Sequence, residues 1–238
     1  DTTDAHLIPH ISSANIAAGF HAGDPNLIDD TVRLSNQYGV AVGAHPGFND
    51  LQGFGRRKIS GSNKEIVNDI VYQVGALREF CRRHGTRIQH VKPHGALYME
   101  LAANIELSTT FIEYMRIAAP NVPVLCMGVS ATYQVAKTLG HPVVREFYAD
   151  RDYDETGSIV FTRDAGRPDP KMIARKVVRA CVEGKVRSVK GSDVAIEFES
   201  ICFHSDTLGA LEIVGEMREA LTAAGIRIAS PSLAFEQQ

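Results

Sequence analysis

Along five stretches of the chain, polar and chemically capable side chains fall on every second residue while the positions between them stay mostly apolar. They are Asn15, Gly19 and His21; Gly43 and His45; His90, Lys92 and His94; Glu146, Tyr148 and Asp150; and His204 and Asp206. A strand points alternate side chains to opposite faces, so each set shares one face, and Ile16, Phe20, Val42, Val91 and Phe147 line the other. Strands separated by helices argue for a parallel sheet covered on its outside, whose polar face is an enclosed centre. The pattern predicts an α/β protein of the (β/α) barrel kind with its active site inside.

The helical segments have clear ends. Asp24 can cap a helix with Pro25 in its first turn, Leu27, Ile28, Val32 and Leu34 supply an apolar stripe, and Gly39 stops it before a strand at residues 40–45. Ser62 stands three residues before Glu65, the spacing of a capping box, and Ile66, Ile70, Val74, Leu77 and Cys81 follow at helical intervals up to Gly85. A strand is expected at 88–94. Further helices are predicted at 105–118, 131–139, 170–182 and 208–223, alternating with strands near 122–127, 143–148, 201–204 and 226–229. With the strand around Asn15 this makes about seven parallel strands in one domain, residues 1–238. Residues 49–61 and 151–168 read as long ordered loops, and Lys190 to Asp193 as the turn of a small hairpin between Val189 and the alternating Val194, Ile196 and Phe198.

Composition narrows the function. The 238 residues and 44% hydrophobic content suit one barrel, and a net charge of -3 leaves no broad basic surface for nucleic acid. Cys81, Cys126, Cys181 and Cys202 stand apart in apolar segments, which suits buried thiols in a reducing cytoplasm. No apolar run is long enough to span a bilayer, and the acidic first residues do not read as a signal peptide.

The polar positions offer acid-base chemistry. His21 with Asp24 can form a base and its orienting carboxylate or, with His45, a set of metal ligands, although Asp24 is also well placed as a helix cap. His45 is held in a turn by Pro46 and Gly47. His90 and His94 lie about 13 Å apart in an extended strand, too far to share one ion. Lys92 between them needs an anion, either on a ligand or on Glu146 or Asp150. Thr207 is free to cap the helix that follows His204 and Asp206. Ser205 would face away from its neighbours and no nucleophile elbow exists, which argues against a serine hydrolase. A P-loop is absent, but Gly53, Gly55, Arg56 and Arg57 can hold phosphate oxygens.

The segments Ser13 to Ala17 with Gly19 to Asp24, Gly43 to Gly47, Gln52 to Arg57, His90 to Tyr98, Glu146 to Arg151 and Cys202 to Thr207 together resemble the LamB/YcsF family, in the same order and over nearly the whole chain. The resemblance implies a distorted (β/α) barrel related to glycoside hydrolases and polysaccharide deacetylases. It also implies the role of the A subunit of a bacterial ATP-dependent 5-oxoprolinase, using ATP and Mg²⁺ with two partners, the B and C subunits, to open the lactam of 5-oxo-L-proline. The catalytic candidates are then His21, His45, Lys92, His94, Asp150 and His204, and the substrate- or phosphate-binding candidates Asn15, Arg56, Arg57, Glu146, Arg151 and Asp206. Family members usually open with a strand reading like D-L-N-C-D-x-G-E, and this sequence begins at Asp1 without it. Ser205 stands where the family usually has glycine, and Ala18 where cysteine is common. The rival readings are a divalent-metal-dependent deacetylase, with His21, Asp24, His45 and His204 as ligands, and a ligand-binding scaffold subunit without catalysis.

Overall fold

The computed structural model describes residues 3–160 and 167–230. In chain order a short helix α1 (Thr3–Leu7) and a 3-10 turn (Ile8–His10) precede β1 (Ser13–Ile16), α2 (Pro25–Gln37), β2 (Ala41–Ala44), α3 (Asn63–Arg83) and β3 (Ile88–Val91). Then come α4 (Gly95–Ala103), α5 (Ile105–Ala118), β4 (Val124–Cys126), α6 (Ala131–Leu139) and β5 (Val143–Tyr148). The remainder is β6 (Asp152–Tyr153), β7 (Ile159–Val160), α7 (Pro170–Glu183), β8 (Lys185–Arg187), β9 (Asp193–Ala195), β10 (Ser200–Cys202) and α8 (Ala210–Ala223). The chain divides into two compact units, one of Ser12–Val144 with Ser230 and the other of the residues up to Ile11 with Arg145–Ala229.

In the first unit β1, β2, β3 and β4 run parallel in that order. β2 is buried throughout, as a strand flanked on both edges requires. Its register against β3 shifts between Val42 and Gly43, and the Val42 N–H is satisfied by the Gln89 side chain at 2.8 Å. The helices begin where their capping residues place them. Asp24 accepts from the N–H groups of Asn26 and Leu27, and Ser62 and Glu65 close a reciprocal capping box. The α3 stripe of Val67, Ile70, Val74, Leu77 and Cys81 is buried, and so is Gln73 in its midst.

In the second unit β10 pairs parallel with β5, Ser200 opposite Glu146 and Cys202 opposite Tyr148. β6 with β7 and β8 with β9 form antiparallel pairs, and α7 packs on α8. The β8–β9 pair is the expected hairpin around Lys190 to Asp193. Part of the loop expected at 151–168 is instead the β6–β7 pair, and residues 161–166 lie outside the described residues. The strand expected at 226–229 does not form. Ile226 donates its N–H back to Leu221 at 2.9 Å, closing the end of α8, and the residues after it are largely exposed. Six parallel strands are therefore present among the described residues rather than about seven. No helix among the described residues is long and apolar enough to cross a membrane.

Candidate functional site

The strands are shorter than their alternation suggested, and the reactive side chains follow them. β1 stops at Ile16 and the chain turns at Gly19, whose φ of 90° and N–H to Ala22 (2.9 Å) put His21 in a loop rather than on the strand. His45 is the first residue after β2, while Lys92 and His94 follow β3, His94 at the N-cap of α4. Asp150 and His204 likewise lie just beyond β5 and β10. Side chains past the carboxyl ends of parallel strands are where α/β folds carry their sites.

Within the first unit His21, His45 and His94 come together, each offering a ring nitrogen within 4.8 Å of the others. His45 Nδ1 meets the Lys92 carbonyl at 2.6 Å, and His94 Nε2 meets the Phe54 carbonyl at 2.7 Å. A carbonyl only accepts, so both of these nitrogens carry the proton. His94 Nδ1 faces His45 Nε2 at 3.0 Å. His21 stacks flat on His94, ring centroids 3.9 Å apart and planes 5° apart, with its Nδ1 buried and lacking a hydrogen-bond partner. Burial pushes His21 down to about 3, with His94 adding to the shift, and holds His45 well below the ordinary imidazole value, helped by His94, Lys92 and His21. Asp24, a candidate metal ligand by sequence, is the cap of α2 and is not part of this group.

Backbone and neighbours fix these rings. Gln73 accepts from the Gly47 N–H and donates to the Gly47 carbonyl, both at 2.9 Å, and so clamps the turn that carries His45. Phe54 has φ of 53°, a conformation that costs a non-glycine residue about 1–3 kcal/mol and here aims its carbonyl at His94. Gly55 follows at φ 63°, where an added Cβ would stand 2.7 Å from His21 Cβ and 2.8 Å from His94 Cδ2. Below them His90 is fully buried, Nε2 to Asn15 Oδ1 at 2.8 Å, and is pushed down to about 3 by burial and by the charge of Lys92. Lys92 itself is 3% exposed.

The loop expected to cradle phosphate is internally committed. Arg57 Nε donates to both oxygens of Asp50 at 3.0 and 3.1 Å, and its guanidinium holds the Asp50 carboxyl below the usual range. Gly53 N–H goes to Asp50 Oδ1, Phe54 N–H to Leu51, Gly55 N–H to Asp50 and Arg56 N–H to Gly53. Arg56 lies over the Phe54 ring. The N–H groups of Gly53, Phe54, Gly55 and Arg56 are therefore taken up within the loop, while the Arg57 side chain stays 60% exposed.

In the second unit Asp150 is the centre. Its side chain is 0% exposed and accepts from His204 Nδ1 (2.9 and 3.1 Å), the His204 N–H (3.1 Å), Thr207 Oγ1 (2.6 Å) and Arg151 Nη1 (3.2 Å). Burial alone would raise this carboxyl, but the His204 bond and charge, Arg151 and Thr207 outweigh it and hold it well below the carboxylate range. Asp150 thus fixes the tautomer: in the neutral ring Nδ1 carries the proton and Nε2 the lone pair. The His204 side chain is 23% exposed and its ring lies on Tyr148. Glu146 is buried on the same strand as Tyr148, while Asp206 and Ser205 are exposed. Thr207 does not cap α8, whose N-cap is Gly209. Lys176, not singled out by the sequence, donates to the Arg151 carbonyl at 2.8 Å and is lowered to about 8 by burial, against the opposing pull of Asp152 and Asp150.

The Asp150 shift has a pH signature. A depressed carboxyl contributes stability that is fully present above its unfolded value, about 3.9, and lost as pH falls through the folded one. The melting temperature of the protein should therefore fall more steeply below about pH 4 than that of Asp150→Asn. Parallel slopes for the two proteins would remove Asp150 from the acid transition.

The fold and these clusters define an α/β protein with titratable groups held in fixed tautomers past the ends of its parallel strands. Residues 2–236 match the model of the LamB/YcsF family, and the chain belongs to that family. It is 56% identical to a 5-oxoprolinase A subunit of Pseudomonas aeruginosa over 231 residues, 97% of this chain and 92% of that protein. It is 42% identical to the 5-oxoprolinase A subunit of Natranaerobius thermophilus over 229 residues, 95% and 89% of the two. Among solved structures, the lactam utilization protein of Thermus thermophilus superposes with a TM-score of 0.89 at 38% identity, covering 95% of this chain and 92% of that one.

Proposed function

We propose that this chain is the A subunit of an ATP-dependent 5-oxoprolinase, opening the lactam of 5-oxo-L-proline to L-glutamate with two further components, the B and C subunits, in the cytoplasm. The observation that carries the reading is the likeness, over 97% of the chain, to a protein named as a 5-oxoprolinase A subunit. Opening a lactam needs a water deprotonated, its oxygen bonded to the ring carbonyl carbon, and the C–N bond broken with a proton delivered to the departing nitrogen. The proposed carrier of that proton is His204. Its Nε2 lone pair takes the proton from water and returns it to the ring nitrogen, while Asp150 holds the ring and stabilises its charged form. Thr207 and Arg151 keep Asp150 ionised for that task.

Asn15 is assigned to holding His90, and Glu146 to the polar lining beside Tyr148. ATP with Mg²⁺ is assigned to the assembly, where transfer of the γ-phosphoryl group to the lactam oxygen with release of ADP, followed by loss of that group as phosphate on ring opening, would couple one nucleotide to each turnover. The test is reconstitution. Glutamate should appear from 5-oxoproline and ATP when this chain is mixed with the B and C subunits, and should not appear when this chain is left out. Full activity without it would end the assignment.

A further inference from the structure

When both rings are neutral, the contact between His45 and His94 has no proton of its own. His45 gives its Nδ1 proton to Lys92 O and His94 gives its Nε2 proton to Phe54 O, so in neutral rings the two nitrogens that face each other at 3.0 Å, His45 Nε2 and His94 Nδ1, both present lone pairs. Two lone pairs at that distance repel. His21, 2% exposed, brings a third imidazole whose ring offers a nitrogen within 4.8 Å of the other two, and its Nδ1 is buried with no hydrogen-bond partner. Ring nitrogens of three histidines gathered this closely can hold a cation.

We propose that a ring nitrogen of His21, with His45 Nε2 and His94 Nδ1, forms a binding site for one divalent transition-metal ion of the zinc type. Neutral imidazoles are favoured ligands for such ions, and two nitrogens each about 2.0–2.1 Å from a tetrahedral zinc stand about 3.3 Å apart, close to the His45–His94 separation. The outer hydrogen bonds are of the kind metal sites use. A backbone carbonyl on the far nitrogen of each of two rings fixes the tautomer and aims the other nitrogen inward. His21 must turn out of its stack on His94 to bring its lone pair onto the ion, since the two ring planes are nearly parallel. Three protein nitrogens leave a coordination position open to water or to a ligand atom. The chemistry favours zinc, cobalt or nickel over magnesium or calcium, which take oxygen ligands. The inference holds whether or not the substrate is a lactam, and it differs from a ligand set containing Asp24 or His204, which are committed to α2 and to Asp150.

The experiment uses the whole chain, stripped with chelator and titrated with Zn²⁺ and with Co²⁺. Calorimetry should give one ion per chain, and bound Co²⁺ should show the visible absorption of a low-coordinate nitrogen site. With ¹⁵N-labelled histidine, the ring signals of His21, His45 and His94 should move on adding Zn²⁺ while those of His84 and His204 stay. His45→Gln and His94→Gln should each weaken binding by more than about 100-fold, beyond the 10–100-fold typical of losing an outer partner, and His84→Gln should leave it unchanged. The labelled wild-type protein decides the matter even where a variant fails to fold. Absence of stoichiometric binding, or ring signals showing a proton held between His45 and His94 in the presence of Zn²⁺, would overturn the proposal.

Discussion

Changing His204 to Gln lowers kcat of the assembled enzyme by about 10²–10⁴-fold, the range a positioned general base contributes, with the melting temperature nearly unchanged. His204 is partly exposed at its ring, and the buried Asp150 keeps the Thr207 hydroxyl, Arg151 and the residue 204 N–H when the imidazole is gone. Asp150→Asn should lose activity too, because an amide can hold the ring in the tautomer that carries the proton on Nε2 and so removes the lone pair. Groups that act as one unit are not additive, so the double variant should be little worse than the poorer single one. Steady-state kinetics on the three variants check this. Additive losses, or a His204→Gln enzyme with full kcat, would show that the dyad does not carry the proton.

The largest structural effect is expected at Gly43. An added Cβ there would stand 1.9 Å from His90 Nε2 and 2.2 Å from Cε1, and His90 has nowhere to retreat because it is fully buried and bonded to Asn15. Gly43→Ala combines an overpacked core, about 1–3 kcal/mol, with a broken buried hydrogen bond, about 1–3 kcal/mol. For a chain of this size each kcal/mol lowers the melting temperature by about 2–4 °C, so a drop of roughly 4–24 °C is expected. Shortening the opposing ring should relieve the clash, making Gly43→Ala less damaging in a His90→Ala background than in the wild type. A wild-type melting temperature for Gly43→Ala would contradict this packing.

Local rules carried much of the fold into the sequence. Helices α5 and α6 and strand β5 fall where periodicity put them, and Asp24 and Ser62 cap as their spacing required, because caps and stripes are read within a few residues. The alternating pattern, however, runs on past the strand ends. His21, His94 and His204 continue it there, and turns rather than pleats set their directions. The start of α4 carries no capping signal in the sequence, since its N-cap is His94, which makes no side-chain cap bond. Gln73 had a usable signal, a polar residue inside the stripe of Ile70, Val74 and Leu77. Lys176 had one as well, between Ile173 and Val177 on the buried side of α7. Thr207 did not: a threonine ahead of a helix looks like a cap, and only the distant partner Asp150 tells otherwise.

The most direct test of the proposal that this chain takes part in an ATP-coupled lactam opening is the ratio of glutamate formed to ADP released, measured with the chain alone and with the proposed B and C subunits. The expected result is no useful glutamate from the chain alone and about one glutamate per ADP in the complete mixture, each turnover consuming one nucleotide. Efficient glutamate formation by the chain alone without ATP would contradict it.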